Sequence, residues 1–165
     1  MDRCQECGFE YNLRDAGEAG QSIVEGTAEF ALMLRGRGAD VAARPRAATW
    51  SLLEYGCHLR DVLLVQRERV LAARRVDRPS CAAMGRDERV DHDGYAEQGP
   101  DDVARQLADA AQMFAGVLSR LGPEDWDRSV MYNYPKRCER SLRWVAVHTV
   151  HEVTHHLLDI RRQPV

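Results

Sequence analysis

The chain has 165 residues, of which 44% are hydrophobic and 30% charged, and its formal net charge is −3. These values are typical of a single globular domain, and the weak negative charge argues against a nucleic-acid-binding protein. No apolar run approaches the roughly 18–20 residues that span a membrane, and the first residues lack the apolar stretch of a signal peptide. We therefore expect a cytoplasmic protein that binds a small molecule, with no nucleic acid and no membrane as partner.

A CxxCG knuckle, residues 4–8, comes first along the chain. Its glycine lets backbone amides turn toward the thiolates of Cys4 and Cys7, as in half of a zinc ribbon. Five cysteines are an odd number, and a reducing compartment does not favour a disulfide framework. The sequence has no second CxxC, so a metal here needs Cys81, Cys138, a histidine or a second chain as further ligands. The alternative is a turn with two free thiols.

The first two helices are predicted over residues 17–37 and from residue 49 to about residue 75. Apolar side chains recur at helical spacing in both segments. Gly36 and Gly38 end the first helix, and Thr49 is a good N-cap for the second.

Residues 76–99 follow and show no helical periodicity. Long connections without secondary structure in a compact domain are usually functional or disordered. This one is rich in polar side chains, and Arg86, Arg89 and Tyr95 could bind an anionic substrate. The alternative is that they are ordinary surface groups.

The third helix is predicted to begin after Pro100, where two aspartates suit the positive end of the helix dipole, and to stop at Gly122-Pro123. Residues 123–140 form a second long connection, whose aromatic side chains are expected to pack over another part of the molecule. The fourth helix is predicted over residues 141–162. The sequence therefore predicts an all-α four-helix bundle over residues 17–165 with two long functional loops, preceded by the knuckle segment, residues 1–16.

Four of the six histidines fall within nine residues of the fourth helix. His151 and His155 are four residues apart, so they lie one turn apart on one face and can reach one ion. His148 lies near that face and could replace His155 as the partner of His151 if the helix is rotated, whereas His156, about 100° further round, should point elsewhere. The alternative to a metal is solvated histidines or core histidines that bond to carboxylates.

His58 strengthens the metal interpretation, because it lies in the middle of the apolar second helix and bundle cores build metal sites from facing helices. Three histidines would leave coordination positions open, which is typical of a catalytic site. Glu54 or Asp61 could orient its imidazole, or both could lie on a solvated face.

Residues 151–155 also match HExxH, the metalloprotease pattern. Only ten residues follow His155, which leaves little room for a third ligand downstream, and no strand pattern precedes the helix. We therefore do not favour a peptidase.

The segments that carry the histidines, residues 50–61 and 148–156, resemble the DinB-like superfamily, which includes mycothiol-dependent maleylpyruvate isomerases and related thiol S-transferases. The resemblance implies a four-helix bundle that binds a divalent metal through a histidine of the second helix and a His-x-x-x-His pair, sometimes Glu-x-x-x-His, of the last helix. By position these ligands are His58, His151 and His155.

The resemblance also implies a metal-dependent thiol S-transferase or isomerase with a low-molecular-weight thiol as co-substrate, typically mycothiol in arginine-rich proteomes such as this one. Imidazole suits zinc, nickel, copper and iron alike; we expect zinc, with nickel or iron as alternatives. Two other functions stay open: a non-catalytic, stress-related metal-binding bundle and a metal-dependent hydrolase. We expect a homodimer. The knuckle of Cys4 and Cys7 is not part of the family pattern.

Overall fold

The computed structural model describes residues 3–36, 38–133 and 136–163. Its helices and strands follow one another along the chain, with short 3₁₀ turns at Leu13–Glu18, Gly38–Ala42 and Tyr95–Glu97: α1 (Ala19–Gly36), α2 (Leu52–Arg75), β1 (Ser80–Cys81), α3 (Arg86–His92), α4 (Pro100–Leu118), α5 (Pro123–Trp126), β2 (Ser129–Tyr132), β3 (Cys138–Ser141) and α6 (Leu142–Arg161). The long helices α1, α2, α4 and α6 confirm the predicted four-helix bundle.

The start of α2 differs from the prediction, because Ser51 and not Thr49 is its N-cap. The Ser51 hydroxyl accepts a hydrogen bond from the Glu54 N–H at 3.1 Å, and the Glu54 carboxylate accepts one from the Ser51 N–H at 2.8 Å. This reciprocal capping box satisfies two donors at the helix end and outweighs a lone threonine two residues earlier.

The order of the helices around the bundle brings α2 and α6 together. Helix α4 packs against both α1 and α2, and α6 contacts the same two helices from the other side. Gly26 of α1 lies where a Cβ atom would meet Val153 Cγ1 of α6 at 2.6 Å, so these two helices approach closely. The core of the bundle is aliphatic and aromatic. Its fully buried side chains include Ile23, Phe30, Leu53, Leu63, Leu107, Phe114, Leu142 and Ile160.

The two long connections contain secondary structure that the sequence pattern did not predict. Residues 76–99 include β1 and the seven-residue α3, and residues 123–140 include α5, β2 and all of β3 except its last residue, Ser141. Strand β1 pairs parallel to β2, with Ser80 opposite Met131, and β2 pairs antiparallel to β3. Strands of two to four residues are too short to show a two-residue period, which is why they were missed.

The N-terminal segment lies against the last helix. The 3₁₀ turn at Leu13–Glu18 packs on α6 and α1, and Tyr11 just before it stacks near Trp144, with ring centroids 6.1 Å apart. Within the described ranges, no helix is both long and apolar enough to cross a membrane.

Candidate metal centre

The described residues form three groups of potential metal ligands on α6, two of which share no residue, whereas the third, His148, His151 and Glu152, takes one residue from each of the other two. We call His58, Glu152 and His156 the helix-pair cluster, and Cys4, Cys7, His151 and His155 the N-terminal cluster. Within each cluster, one ligand atom from every residue lies within 4.8 Å of the others. The two clusters use alternate faces of the same helical turn, because Glu152 and His156 are each one residue beyond His151 and His155 and therefore about 100° further round.

The helix-pair cluster joins α2 to α6. The rings of His58 and His156 have centroids 5.1 Å apart and meet edge to face at 79°. His156 Nε2 lies 3.7 Å from Glu152 Oε2, and His156 Nδ1 lies 3.0 Å from Asp159 Oδ2. If Nδ1 carries the proton, it donates to Asp159 and leaves Nε2 free to bind an ion, which is the usual carboxylate–histidine–metal arrangement.

His58 is in the protonation state that a metal requires. Its side chain is only 4% exposed, and this burial, with the positive charges of His156 and Arg86, lowers its pKa to about 3. The imidazole is therefore neutral near pH 7. Its Nδ1 is buried and has no hydrogen-bond partner in the described part of the chain. Because buried polar atoms are rarely left unpaired, this orphan nitrogen fits a site that a cation completes.

Glu152 is the acidic member of the helix-pair cluster. Burial among the helices raises the pKa of its carboxyl group, although the positive charges of His156, His155 and Arg86 act in the opposite direction. A carboxylate that burial shifts toward its neutral form gains from an adjacent cation. Two histidines and one carboxylate form an open ligand set that catalytic zinc sites use and that also suits iron(II). The residues present therefore fit a divalent metal.

The N-terminal cluster joins the knuckle to α6. Cys4 Sγ lies 3.7 Å from His155 Nδ1, and Phe9 packs against His151 with ring centroids 5.3 Å apart. Gly8 has a φ of +76°, the left-handed conformation that closes the knuckle. Burial raises the pKa of Cys4, but hydrogen bonds from the backbone N–H groups of Cys7 and Glu6 outweigh it and lower the pKa to about 7.

Tyr11 and His148 adjoin both clusters. The Tyr11 hydroxyl lies 2.9 Å from His148 Nδ1 and 2.9 Å from His151 Nδ1. A hydroxyl has one proton, so it donates to one imidazole and accepts from the other. His148 stacks on Trp144 with ring centroids 4.4 Å apart, and its Nε2 lies 3.5 Å from Glu152 Oε1. Burial first, and then nearby positive charges, lower the pKa of His148 to about 3.

The three histidines that the sequence placed in one site are divided between the two clusters. His151 and His155 lie together, as their spacing suggested, but with Cys4 and Cys7 rather than with His58. His58 lies with Glu152 and His156. A Glu-x-x-x-His pair is only a variant of the family pattern, and the helical spacing predicts that His156 points away from the site. The missed signal was that Glu152 and His156 repeat the same four-residue spacing one position later.

Glu54 and Asp61 neither orient His58 nor lie on a solvated face, which were the two roles predicted for them. Both are buried and make ion pairs, so they do not lie on a solvated face. The Arg44 guanidinium donates to Glu54 at 2.6 Å, and Asp61 accepts from Arg60 at 2.8 Å and from the Tyr95 hydroxyl at 2.6 Å. Among the described hydrogen bonds, neither carboxylate pairs with His58. They fix the connections to α2 instead.

The three candidate anion-binding groups of residues 76–99 have different surroundings. Tyr95 is fully buried and donates to Asp61, and Arg89 also contacts Asp61 at 3.2 Å, so both are occupied in the fold. Arg86 is more exposed: 52% of its side chain is accessible, it pairs with the exposed Asp87 at 3.3 Å, and its guanidinium lies 5.9 Å from the centre of the Trp50 ring. Trp50 in turn lies 5.1 Å from the His58 ring. Arg86 is therefore at the edge of the helix-pair cluster.

The comparisons with known proteins agree with this architecture. The family model of the DinB superfamily matches residues 32–160, which is more than half of the chain. The chain belongs to the DinB superfamily. Among solved structures, it is similar to YfiT from Bacillus subtilis, described as a probable metal-dependent hydrolase with an unusual four-helix bundle topology. The TM-score is 0.76 at 14% identity, over 90% of this chain and 87% of that one. No curated relative matches the sequence.

Proposed function

We propose that this DinB-superfamily protein is a metal-dependent enzyme that holds a divalent cation with His58, Glu152 and His156 and joins a low-molecular-weight thiol to a small electrophile. The observation that carries the proposal is the convergence of three protein ligands from two helices, which leaves coordination positions open. A bound cation would supply Lewis acidity, lowering the pKa of a thiol in an open position so that it reacts as the thiolate.

The residues of the chain set the charge of the site. His58 is neutral, and among the three ligands only Glu152 carries a negative charge, so the ligands alone would not cancel a divalent charge, which would still attract a thiolate. Asp159 holds the ring of His156 through Nδ1 and so fixes which nitrogen faces the cluster.

Three side chains lie beside the helix-pair cluster. Trp50 and Tyr55 lie against the rings of His58 and His156, with centroids 5.1 and 5.0 Å apart respectively. These aromatic faces give an apolar wall for a small substrate and exclude water from one side. Arg86 adds a positive charge at the edge, which favours an electrophile that carries a carboxylate or another anionic group.

Metal-dependent hydrolysis is a second candidate function, and the likeness to YfiT, described as a probable metal-dependent hydrolase, favours it. The same three ligands would serve, with water in place of the thiol. The two functions differ in one observable: thiol transfer consumes one thiol for each product molecule, whereas hydrolysis proceeds without added thiol.

The test combines metal analysis with assays of both activities. Protein loaded with zinc, nickel or iron is supplied with mycothiol and a small anionic electrophile, and loss of free thiol is followed; ester hydrolysis is measured separately without thiol. We expect His156→Ala to lose the thiol reaction and the metal of this cluster, whereas His92→Ala, whose side chain is 80% exposed, is unchanged.

Two results would overturn the proposal. One is thiol consumption that persists in the metal-free protein. The other is a His155→Ala variant that is inactive beside a fully active His156→Ala variant, which would return the active site to the set of His58, His151 and His155. Metal binding without any turnover would favour the non-catalytic bundle.

A further inference from the structure

We propose that Cys4, Cys7, His151 and His155 form a second, structural zinc site that fastens the N-terminal knuckle to α6. This site is separate from the helix-pair cluster. It uses different residues, lies on another face of the helix and needs no substrate.

The distances and the ligand types suit zinc. Zinc lies about 2.3 Å from thiolate sulfur and about 2.0–2.1 Å from imidazole nitrogen, so a sulfur and a nitrogen on a tetrahedral ion are roughly 3.6 Å apart. Cys4 Sγ and His155 Nδ1 are 3.7 Å apart, and all four ligand atoms lie within 4.8 Å of one another. Two cysteines and two histidines are a common structural zinc set.

His151 supplies an unpartnered nitrogen at this place. The residue is 9% exposed, and its Nε2 is buried without a hydrogen-bond partner among the residues that the structure describes. If His151 Nδ1 carries the proton and donates it to the Tyr11 oxygen at 2.9 Å, Nε2 has a free lone pair. The Tyr11 hydroxyl then donates to His148 Nδ1, also at 2.9 Å. Both protons in this row of three side chains therefore have an acceptor.

His155 is oriented in a similar way. Its Nδ1 faces Cys4, and its Nε2 lies 3.3 Å from Glu6 Oε2 and 3.6 Å from Asp159 Oδ2. The proton therefore belongs on Nε2, between two carboxylates, and Nδ1 is free for the ion. In both histidines, the ring nitrogen that faces away from the site has a polar partner. Metal-ligating histidines usually have such a partner on the nitrogen that does not bind the ion.

The knuckle itself is shaped for thiolates. Hydrogen bonds from the backbone N–H groups of Cys7 and Glu6 lower the pKa of Cys4, and one from Phe9 acts in the same direction on Cys7, although burial and the neighbouring Cys4 thiol leave the pKa of Cys7 raised. The turn is closed by a hydrogen bond from the Gly8 N–H to the Cys4 carbonyl oxygen at 3.0 Å. These donors stabilise negative sulfur. A site with four protein ligands has no open position, so its role is structural, in contrast to the three-ligand helix-pair cluster.

The experiment counts metals and identifies the sulfur ligands in the intact chain. Protein loaded with Co²⁺ is examined by native mass spectrometry and by absorption, because thiolate-to-cobalt charge transfer marks a cysteine ligand. We expect two ions per chain and a charge-transfer band. The double variant Cys4→Ser/Cys7→Ser should hold one ion and lose the charge-transfer band. The double variant His58→Ala/His156→Ala should also hold one ion but keep the charge-transfer band. Cys138→Ser is the matched control and should keep both ions and the band.

A second measurement covers the case in which the double cysteine variant does not fold. Alkylation of the wild-type protein, mapped by mass spectrometry, should spare Cys4 and Cys7 when metal is present and modify both after chelation, whereas modification of Cys138 does not change. The proposal is overturned if the wild type shows no charge-transfer band, if both thiols react equally with and without metal, or if they are found as a disulfide under reducing conditions. A helix-pair cluster that binds no metal would lower the ion count from two to one but would change neither the charge-transfer band nor the alkylation of Cys4 and Cys7, so the two proposals fail separately.

Discussion

His155 and His156 are neighbours in the chain, and their rings, with centroids 5.5 Å apart and planes at 80°, belong to different ligand clusters. Asp159 contacts both, at 3.0 Å from His156 Nδ1 and at 3.6 Å from His155 Nε2. One carboxylate, one turn further along α6, therefore orients a histidine in each cluster. The two proposed metal sites share this support although they share no ligand.

Replacing Asp159 should weaken both sites together. Asp159→Asn removes the negative charge that faces an imidazole N–H of each histidine. Loss of such an outer partner lowers metal affinity roughly 10–100-fold. We expect a decrease of this size at the helix-pair cluster, where the contact is shorter, and a smaller one at the N-terminal cluster. Competitive titration with a chromogenic chelator measures both. Asp127→Asn, on the surface beside Arg143, is the control; equal affinities in the two variants would contradict the shared role.

Removing the Tyr11 hydroxyl should lower stability. Tyr11→Phe leaves Nδ1 of His148 and of His151 without their shared partner, and an unsatisfied buried polar group costs about 1–3 kcal/mol. We expect the free energy of unfolding of the metal-free protein to fall by an amount in this range in urea denaturation. Tyr55→Phe is the matched control, because within the described residues its hydroxyl makes no hydrogen bond. A Tyr11→Phe variant as stable as the Tyr55→Phe variant would show that the hydroxyl contributes nothing.

Arg86 offers a test of substrate charge that rests on the proposed function. Arg86→Ala should raise KM several-fold for an anionic electrophile and leave kcat nearly unchanged, because the guanidinium lies at the edge of the site and acts through its charge. The effect should shrink at high salt and should be absent for a neutral electrophile. Arg105→Ala, which removes an exposed arginine paired with Asp102, is the control. A change in kcat alone would argue against this role.

Acid should destabilise the fold through His148. Its pKa is about 3 in the folded protein and about 6.5 in the unfolded chain, so between these values only the unfolded chain binds the proton. The free energy of unfolding therefore rises with pH across this window, and the contribution is complete above pH 6.5. Urea denaturation of the metal-free protein at about pH 7 and about pH 5 should show a smaller decrease for His148→Gln than for the wild type. His92→Gln should behave like the wild type; identical slopes in all three proteins would exclude the effect.

The close approach of α1 and α6 should make Gly26 intolerant of a side chain. A Cβ atom there would lie 2.6 Å from Val153 Cγ1, and overpacking of this kind costs roughly 1–3 kcal/mol, against a gain of under 1 kcal/mol from helix propensity. We expect Gly26→Ala to lower the free energy of unfolding by about 1–2 kcal/mol. At Gly36 a Cβ meets nothing within 4 Å, so Gly36→Ala should stay within about 0.5 kcal/mol of the wild type. Equal stability of the two variants would mean that the helices separate at little cost.

The sequence predicted the helices better than it predicted the arrangement of the histidines. The apolar period placed the four long helices within a few residues of their ends, because each buries a continuous stripe. It did not determine which face of α6 meets α2. A rotation of 100° exchanges His151 and His155 for Glu152 and His156, and apolar residues lie beside both pairs.

The partner of the knuckle also lay beyond the sequence pattern. The CxxCG motif indicates two possible ligands, but the residues of α6 that we propose as the other two approach it only once the chain has folded. Histidine was one of several partners that the sequence left open, beside Cys81, Cys138 and a second chain. Cys81 is instead buried in β1, where its thiol contacts the Pro79 carbonyl oxygen.

Cys4 and His155 are 151 positions apart, and this separation has a consequence for biosynthesis. At the usual rate of about 5–20 residues per second, roughly 8–30 s pass between the appearance of the knuckle and the appearance of the helix that completes it. During this interval the two thiols stand without their histidines. A chain whose synthesis stops before α6 would therefore expose a CxxC pair without its histidines, open to metal binding, to oxidation and to the cell's thiol-handling enzymes.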